Sequence, residues 1–190
     1  MEPESRRKIL EAAYSELREK PVGEFRLREV SERAGLSHQT IYNVVGNTGQ
    51  VLASVLNNYV TRITETITPM LDEVRQDDPV GAIVSLTQAM TNLALQDPLP
   101  IKAVLREIGP LNLSENKTTG TAELCTTLLE AAGIPSQSAQ EAGRMINYCW
   151  RGILISWAHE LINNEDLQRE TTTAAKSIAE AVITRHAPPN

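Results

Sequence analysis

The chain is poor in aromatic residues. They make up 4% of its 190 residues, with one Phe, two Trp and four Tyr, so a core must rest on Leu, Ile, Val and Ala. Cysteine is also scarce. Cys125 and Cys149 are too few for a disulfide framework, and each reads as a small buried hydrophobe. The three His show no metal-ligand spacing, so neither a metal nor a cofactor is expected. No apolar run approaches the roughly 20 residues of a membrane span; the richest, Cys149 to Ala158, contains Arg151. The first residues are charged and no apolar stretch follows them, unlike a secretory leader. A cytoplasmic location without membrane contact is the expectation. Alternating apolar and polar runs are missing, and with them strands. Gly-rich phosphate loops, nucleophile elbows and paired carboxylates in apolar settings are missing too, which argues against an enzyme.

What is present is helical periodicity. Apolar residues recur at spacings of three and four along most of the chain, which predicts an all-α protein. Ile9, Leu10, Ala13 and Leu17 mark a first helix ending near Lys20-Pro21. Leu27, Val30 and Ala34 mark a short second one stopped by Gly35, and Ser37 can cap a third whose inner face is Ile41 and Val45. A long helix then runs from about Thr48 to Leu71, with a kink or early end expected at Pro69. Asp78-Pro79 opens a helix reaching about Leu95. Residues 97–100 read as a break, Ile101 to Ile108 as a short helix and 109–117 as a loop. Three more helices are predicted, over about 118–132, from Ser136 or Ser138 to Asn163, and over 165–185. Two domains follow, 1–47 and 48–190.

Charge is unevenly spread. The net charge is -6, yet residues 1–60 hold 8 Lys/Arg against 8 Asp/Glu. The acidity therefore lies beyond them, leaving the N-terminal part free to approach phosphates. Within it, Arg26 to Tyr42 (RLREVSERAGLSHQTIY) reads as two short helices around a tight turn. Ser37, His38, Gln39, Thr40, Tyr42 and Asn43 fall at the start of an exposed helix of a size that fits the major groove. Gln39 suits adenine, Thr40 a thymine methyl or a phosphate, and Tyr42 and His38 phosphate oxygens. The cluster Arg6, Arg7, Lys8 reads equally as a phosphate-contacting arm or a solvated helix start.

Residues 5–60 resemble the DNA-binding domain of the TetR family of bacterial regulators. The matching positions are Ala34, Gly35, Leu36, Ser37, Thr40, Ile41 and Tyr42, preceded by Ile9, Ala12, Ala13 and Leu17. Val45 and Thr48 stand where the family commonly has Phe and Lys, and Arg26 where a capping Thr is common. The resemblance implies a helix-turn-helix domain followed by a helical ligand-binding and dimerisation domain. It implies a transcriptional regulator, a repressor released from a near-palindromic double-stranded DNA operator by a small-molecule effector. DNA contacts are expected from Arg26, Arg28, Ser37, His38, Gln39, Thr40, Tyr42, Asn43 and Thr48. An effector site is expected inside the body, with Met90, Leu93, Leu105, Arg106, Met145, Tyr148, Trp150 and Trp157 as candidates for its lining. Arg106 reads either as an anion-holding residue or as a surface Arg paired with a carboxylate. Low aromatic content favours a lipid-like or alicyclic effector. The helix from Ser136, apolar nearly all round, and the last helix, with its small residues, are expected to form a homodimer. The alternative is a helical dimeric interaction module with weakened or lost DNA binding.

Overall fold

The computed structural model describes residues 4–20, 22–71, 78–112 and 119–187. These form nine α-helices and one 3-10 turn, with no strand among the described residues. The helices are α1 (Glu4–Glu19), α2 (Leu27–Ala34), α3 (His38–Val44), α4 (Thr48–Leu71), α5 (Pro79–Gln96), α6 (Pro98–Asn112), α7 (Thr119–Ala131), α8 (Ser136–Ala158) and α9 (Asn164–His186); the 3-10 turn is Val22–Glu24.

Several boundaries differ from the sequence reading. Helix α4 has the predicted span, Thr48–Leu71, but it does not end early at Pro69. Helix α6 starts at Pro98 and extends to Asn112. Both of its early prolines lie in the first turn, where amides have no intrahelical acceptor, so they break nothing. The expected loop at 109–117 is therefore helical up to Asn112, and its remainder lies outside the described residues. Helix α8 ends at Ala158, five residues early. Glu160 takes the left-handed φ of 62°, the Leu161 amide reaches back to the Ser156 carbonyl at 3.0 Å, and the Asn163 side chain caps α9 by accepting from the Asp166 amide at 2.9 Å.

The chain forms two compact units. The first comprises residues 1–60 and 97–116, the second 61–96 and 117–190. In the first, α1 packs against α2, α3 and α6, and α6 also packs against the 3-10 turn. Its core is mainly aliphatic: Ile9, Leu10, Leu17, Val30, Ile41, Val51, Leu52, Ile101 and Val104 are buried, joined by the aromatics Phe25 and Tyr59.

In the second unit, α8 packs on α7 and α9, and α5 on α9. Gly143 sets the α7–α8 approach: a Cβ there would lie 2.6 Å from the Ala122 carbonyl oxygen, a distance no real contact tolerates. A neutral polar chain joins α5, α8 and α9 inside. The Trp150 indole donates to Thr91 Oγ1 at 3.2 Å, and Thr91 Oγ1 lies 3.2 Å from Thr171 Oγ1. Thr91 also donates to the Thr87 carbonyl and Thr171 to the Leu167 carbonyl, at 2.9 and 2.7 Å. Buried hydroxyls are thereby satisfied, which removes most of their desolvation cost. Cys125 is buried, and burial pushes its thiol up to about 12. Cys149 is exposed, contrary to the expectation that both cysteines are buried.

Candidate nucleic-acid interface

The turn between α2 and α3 is built by local rules. Gly35 closes α2 in the left-handed conformation, φ 65°, which only glycine enters without cost. Its amide donates to the Glu32 carbonyl at 3.2 Å and the Leu36 amide to the Ser31 carbonyl at 3.0 Å, the paired bonds of a Schellman ending. Ser37 then caps α3. Its Oγ accepts the Thr40 amide at 3.0 Å and lies 2.8 Å from the Thr40 hydroxyl. With seven residues α3 is too short to hold itself. Two caps and the fully buried Ile41 fix it. Val45 lies just past α3 and is half-buried, so Ile41 alone anchors the helix from within.

Beyond α3, Asn47 caps α4. Asn47 Oδ1 accepts the Gln50 amide at 3.0 Å, and Gln50 Oε1 accepts the Asn47 amide at 2.9 Å. This reciprocal capping box satisfies two helix-end donors and leaves Thr48 exposed.

On the outer side of α3, His38, Gln39, Tyr42 and Asn43 are exposed and Thr40 is half-buried. Tyr42 shows 47% of its surface. Two parallel i,i+4 pairs order this face. Gln39 Nε2 donates to Asn43 Oδ1 at 3.0 Å, and the His38 and Tyr42 rings meet edge-on, centroids 5.0 Å apart. The side chains that would meet base edges are thus preset against one another, and each retains further hydrogen-bonding capacity.

The eight basic residues of 1–60 are engaged elsewhere. Arg7 pairs with Glu11 at 2.7 Å, Lys8 with Glu4 at 2.9 Å, Arg28 with Glu32 at 2.9 Å and Arg18 with Asp97 at 2.6 Å. Arg6 donates to Ser54 at 3.2 Å. Arg26 is the N-cap residue of α2, but it turns its guanidinium onto the carbonyls of Gly23 and Phe25, at 2.8 and 2.9 Å. Between α1 and α2, Arg33 holds the buried Glu16 at 2.8 Å and Glu19 at 2.6 Å, while Lys20 holds Glu29 at 2.9 Å and Glu16 at 3.3 Å. Hydrogen bonds from Arg33 and Lys20 keep the carboxyls of Glu19 and Glu29, respectively, below their ordinary range, and the Glu29 bond raises Lys20.

The residues expected to line an effector site are scattered. Leu105 is buried and Arg106 exposed on α6, in the first unit. In the second unit Met90 is buried, Leu93 half-buried, and Trp150 and Trp157 are buried with their indole N–H groups bonded to Thr91 and to Asn164 Oδ1, the latter at 2.7 Å. Met145 and Tyr148 are 54% and 62% exposed on the outer face of α8. Of the six in the second unit, Met145 and Tyr148 face outward while Met90, Trp150 and Trp157 are buried. A polar cleft of about 540 Å³ lies between α5 and α9 instead, lined in part by Gln88, Asn92, Glu165, Gln168, Arg169 and Thr172. Its sequence signal is the recurrence of polar residues at spacings of three and four on both helices, which a search for apolar lining passes over. Among the described residues no group of three or more His, Cys, Asp or Glu could hold a metal. Nor is any helix among them long and apolar enough to cross a membrane.

No family model matches the sequence, and no curated protein does. Solved structures do. A TetR transcriptional regulator from Rhodococcus sp. RHA1 shares 21% identity over 92% of this chain and 95% of its own, with a TM-score of 0.71. The TetR-family repressor FadR of Thermus thermophilus, solved with lauroyl-CoA, shares 19% over 97% and 98%, with a TM-score of 0.74. RolR, solved with resorcinol, shares 16% over 97% and 95%, with a TM-score of 0.69. At these identities the likeness is one of fold.

Proposed function

We propose that this chain, which has the fold of the TetR-family transcriptional regulators, is itself a DNA-binding regulator and not an enzyme. The observation that carries the reading is the outer face of α3, where His38, Gln39, Tyr42 and Asn43 stand exposed and paired on a seven-residue helix capped at Ser37. A short helix so presented fits the major groove, with Gln39 against adenine and Tyr42, Thr40 and Ser37 against phosphates. Asn43 and Thr48 extend that surface, and Arg26 and Arg28 flank it.

The regulator works as a homodimer joined through α8 and α9. Met145 and Tyr148, one turn apart and exposed on α8, suit a partner face better than an effector site, and Ser177 and Ala181 on α9 permit close approach. Two reading heads then address two half-sites of a near-palindromic operator. A small molecule bound in the body releases the DNA by preferring one arrangement of the dimer, so effector and operator weaken each other reciprocally. That structures sharing the fold were solved with lauroyl-CoA and with resorcinol supports a small-molecule effector in general.

Selection of duplexes from a random-sequence pool, followed by titration of the enriched sequence, tests the reading. One enriched near-palindrome bound by two subunits is the expected result. The double variant Gln39→Ala, Tyr42→Phe should lose specific binding while helix content and dimerisation stay intact; loss of dimerisation would make those residues structural. The second reading, an interaction module without DNA binding, is favoured by Val45 and Thr48. It predicts that a folded dimer enriches no sequence.

A further inference from the structure

The part of the chain that forms the reading surface carries no formal charge. From Ala34 to Thr61, through the turn, α3 and the first half of α4, there is no Lys, Arg, Asp or Glu. All eight Lys and Arg of residues 1–60 lie before Ala34, and each already has a partner: six pair with carboxylates, Arg26 caps backbone carbonyls and Arg6 bonds Ser54. Exposed pairs of this kind are individually weak, so a phosphate could compete for one of these cations. The exchange would leave the former carboxylate partner unpaired beside the phosphate, and the protein's own charge at that point would remain zero. What the surface offers a DNA backbone is a set of neutral donors: the hydroxyls of Ser37, Thr40, Tyr42 and Thr48 and the amides of Gln39, Asn43 and Asn47.

We propose that the reading head holds its operator through neutral hydrogen-bond donors with little release of counterions, and that it has almost no affinity for DNA of arbitrary sequence. The inference rests on the DNA-binding reading above and adds how the DNA is held. Non-specific affinity is supplied by cations displacing counterions from phosphates, and the logarithm of the binding constant falls with the logarithm of salt concentration by about 0.9 per phosphate neutralised. A head without cations on its reading surface forgoes both. Discrimination between operator and bulk DNA then rests on hydrogen-bond geometry alone, and the search proceeds by collision from solution instead of sliding along the duplex.

The full chain is titrated against the duplex enriched by selection, and against a scrambled duplex of equal length, at several salt concentrations. With at most about one phosphate neutralised per head, affinity for the enriched duplex should fall no more than about tenfold between about 50 and 200 mM salt, with no measurable binding to the scrambled one. Thr48→Lys places a mobile cation at an exposed position of the same surface. It should steepen the slope by about 1.8 per dimer and create binding to the scrambled duplex. A loss of about a thousandfold or more for the unaltered protein over that range overturns the inference while leaving the regulator reading intact. So does a Thr48→Lys slope equal to that of the unaltered protein, since missing cations would then not explain the shallowness. Failure to enrich any duplex overturns the DNA reading, and the inference with it.

Discussion

In the first unit Arg33 and Lys20 hold Glu16, Glu19 and Glu29 between α1 and α2, whereas in the second the groups that tie α5, α8 and α9 together are the uncharged Thr91, Thr171 and Trp150. Helix length differs in parallel. The eight-residue α2 and seven-residue α3 depend on Gly35 and Ser37 at their ends, while the 23-residue α8 and α9 are fixed by long buried faces. The contrast teaches where each unit is vulnerable. Short helices fail at their ends, and long ones fail in the middle.

The largest expected effect lies in the second unit. Trp157 is fully buried and its indole is bonded to Asn164. Trp157→Ala should cost about 3–5 kcal/mol in chemical denaturation, and an unchanged midpoint would mean that this face is not the support of α8. Gly143→Ala comes next. It forces a methyl against the α7 backbone, and overpacking of this kind costs about 1–3 kcal/mol. In the first unit Gly35→Ala should cost about 1–2 kcal/mol in chemical denaturation, because alanine must enter the left-handed region. Ser37→Ala should cost about 1 kcal/mol and fray α3, read as faster amide exchange at Thr40 while α8 is untouched.

The smallest effect is that of pH. Glu19 and Glu29 titrate below the ordinary 4.5 in the folded chain. On acidification the unfolded chain takes up these protons first, so the contribution is complete above about 4.5 and disappears as the pH falls through the lower folded values. Lys20 is raised above its ordinary 10.5 by Glu29, so its contribution is complete below that value and is lost only in strong alkali. Denaturation midpoints followed from neutral to acid should fall for the first unit before the second. A reversed order would show that the α1–α2 ion pairs are not what holds the head.

The caps at Gly35 and Ser37 and the start at Asp78-Pro79 were legible in the sequence because each is a local rule: a left-handed φ, a hydroxyl facing an open amide, a proline where no amide is needed. The start of α6 was not. Pro98 and Pro100 read as a break, since the sequence alone does not reveal whether a proline falls inside a helix or in its first turn. Leu161 and Ile162 extended the apolar pattern of α8, yet the chain turns at Glu160 and leaves Leu161 76% exposed. Apolarity alone also did not tell buried from exposed positions. Met90 and Trp157 are buried, Met145 and Tyr148 face outward, and nothing in residue type distinguishes the pairs. The candidate DNA surface was more legible, because it is one continuous stretch whose inward positions, Leu27, Val30 and Ile41, are few and regularly spaced.

The discontinuity of the first unit bears on how the protein is made. Helix α6 supplies Ile101, Val104 and Leu105 to the same compact unit as α1 and packs on α1. A ribosome that has released only the first sixty residues has released every residue proposed to touch DNA, but not the helix that covers α1. The head is therefore finished only when α6 has emerged, after α5 has already been synthesised. A nascent or truncated chain ending before Pro98 presents an uncovered apolar α1 surface to chaperones and proteases, and dissecting the reading head as an N-terminal fragment removes part of its own foundation.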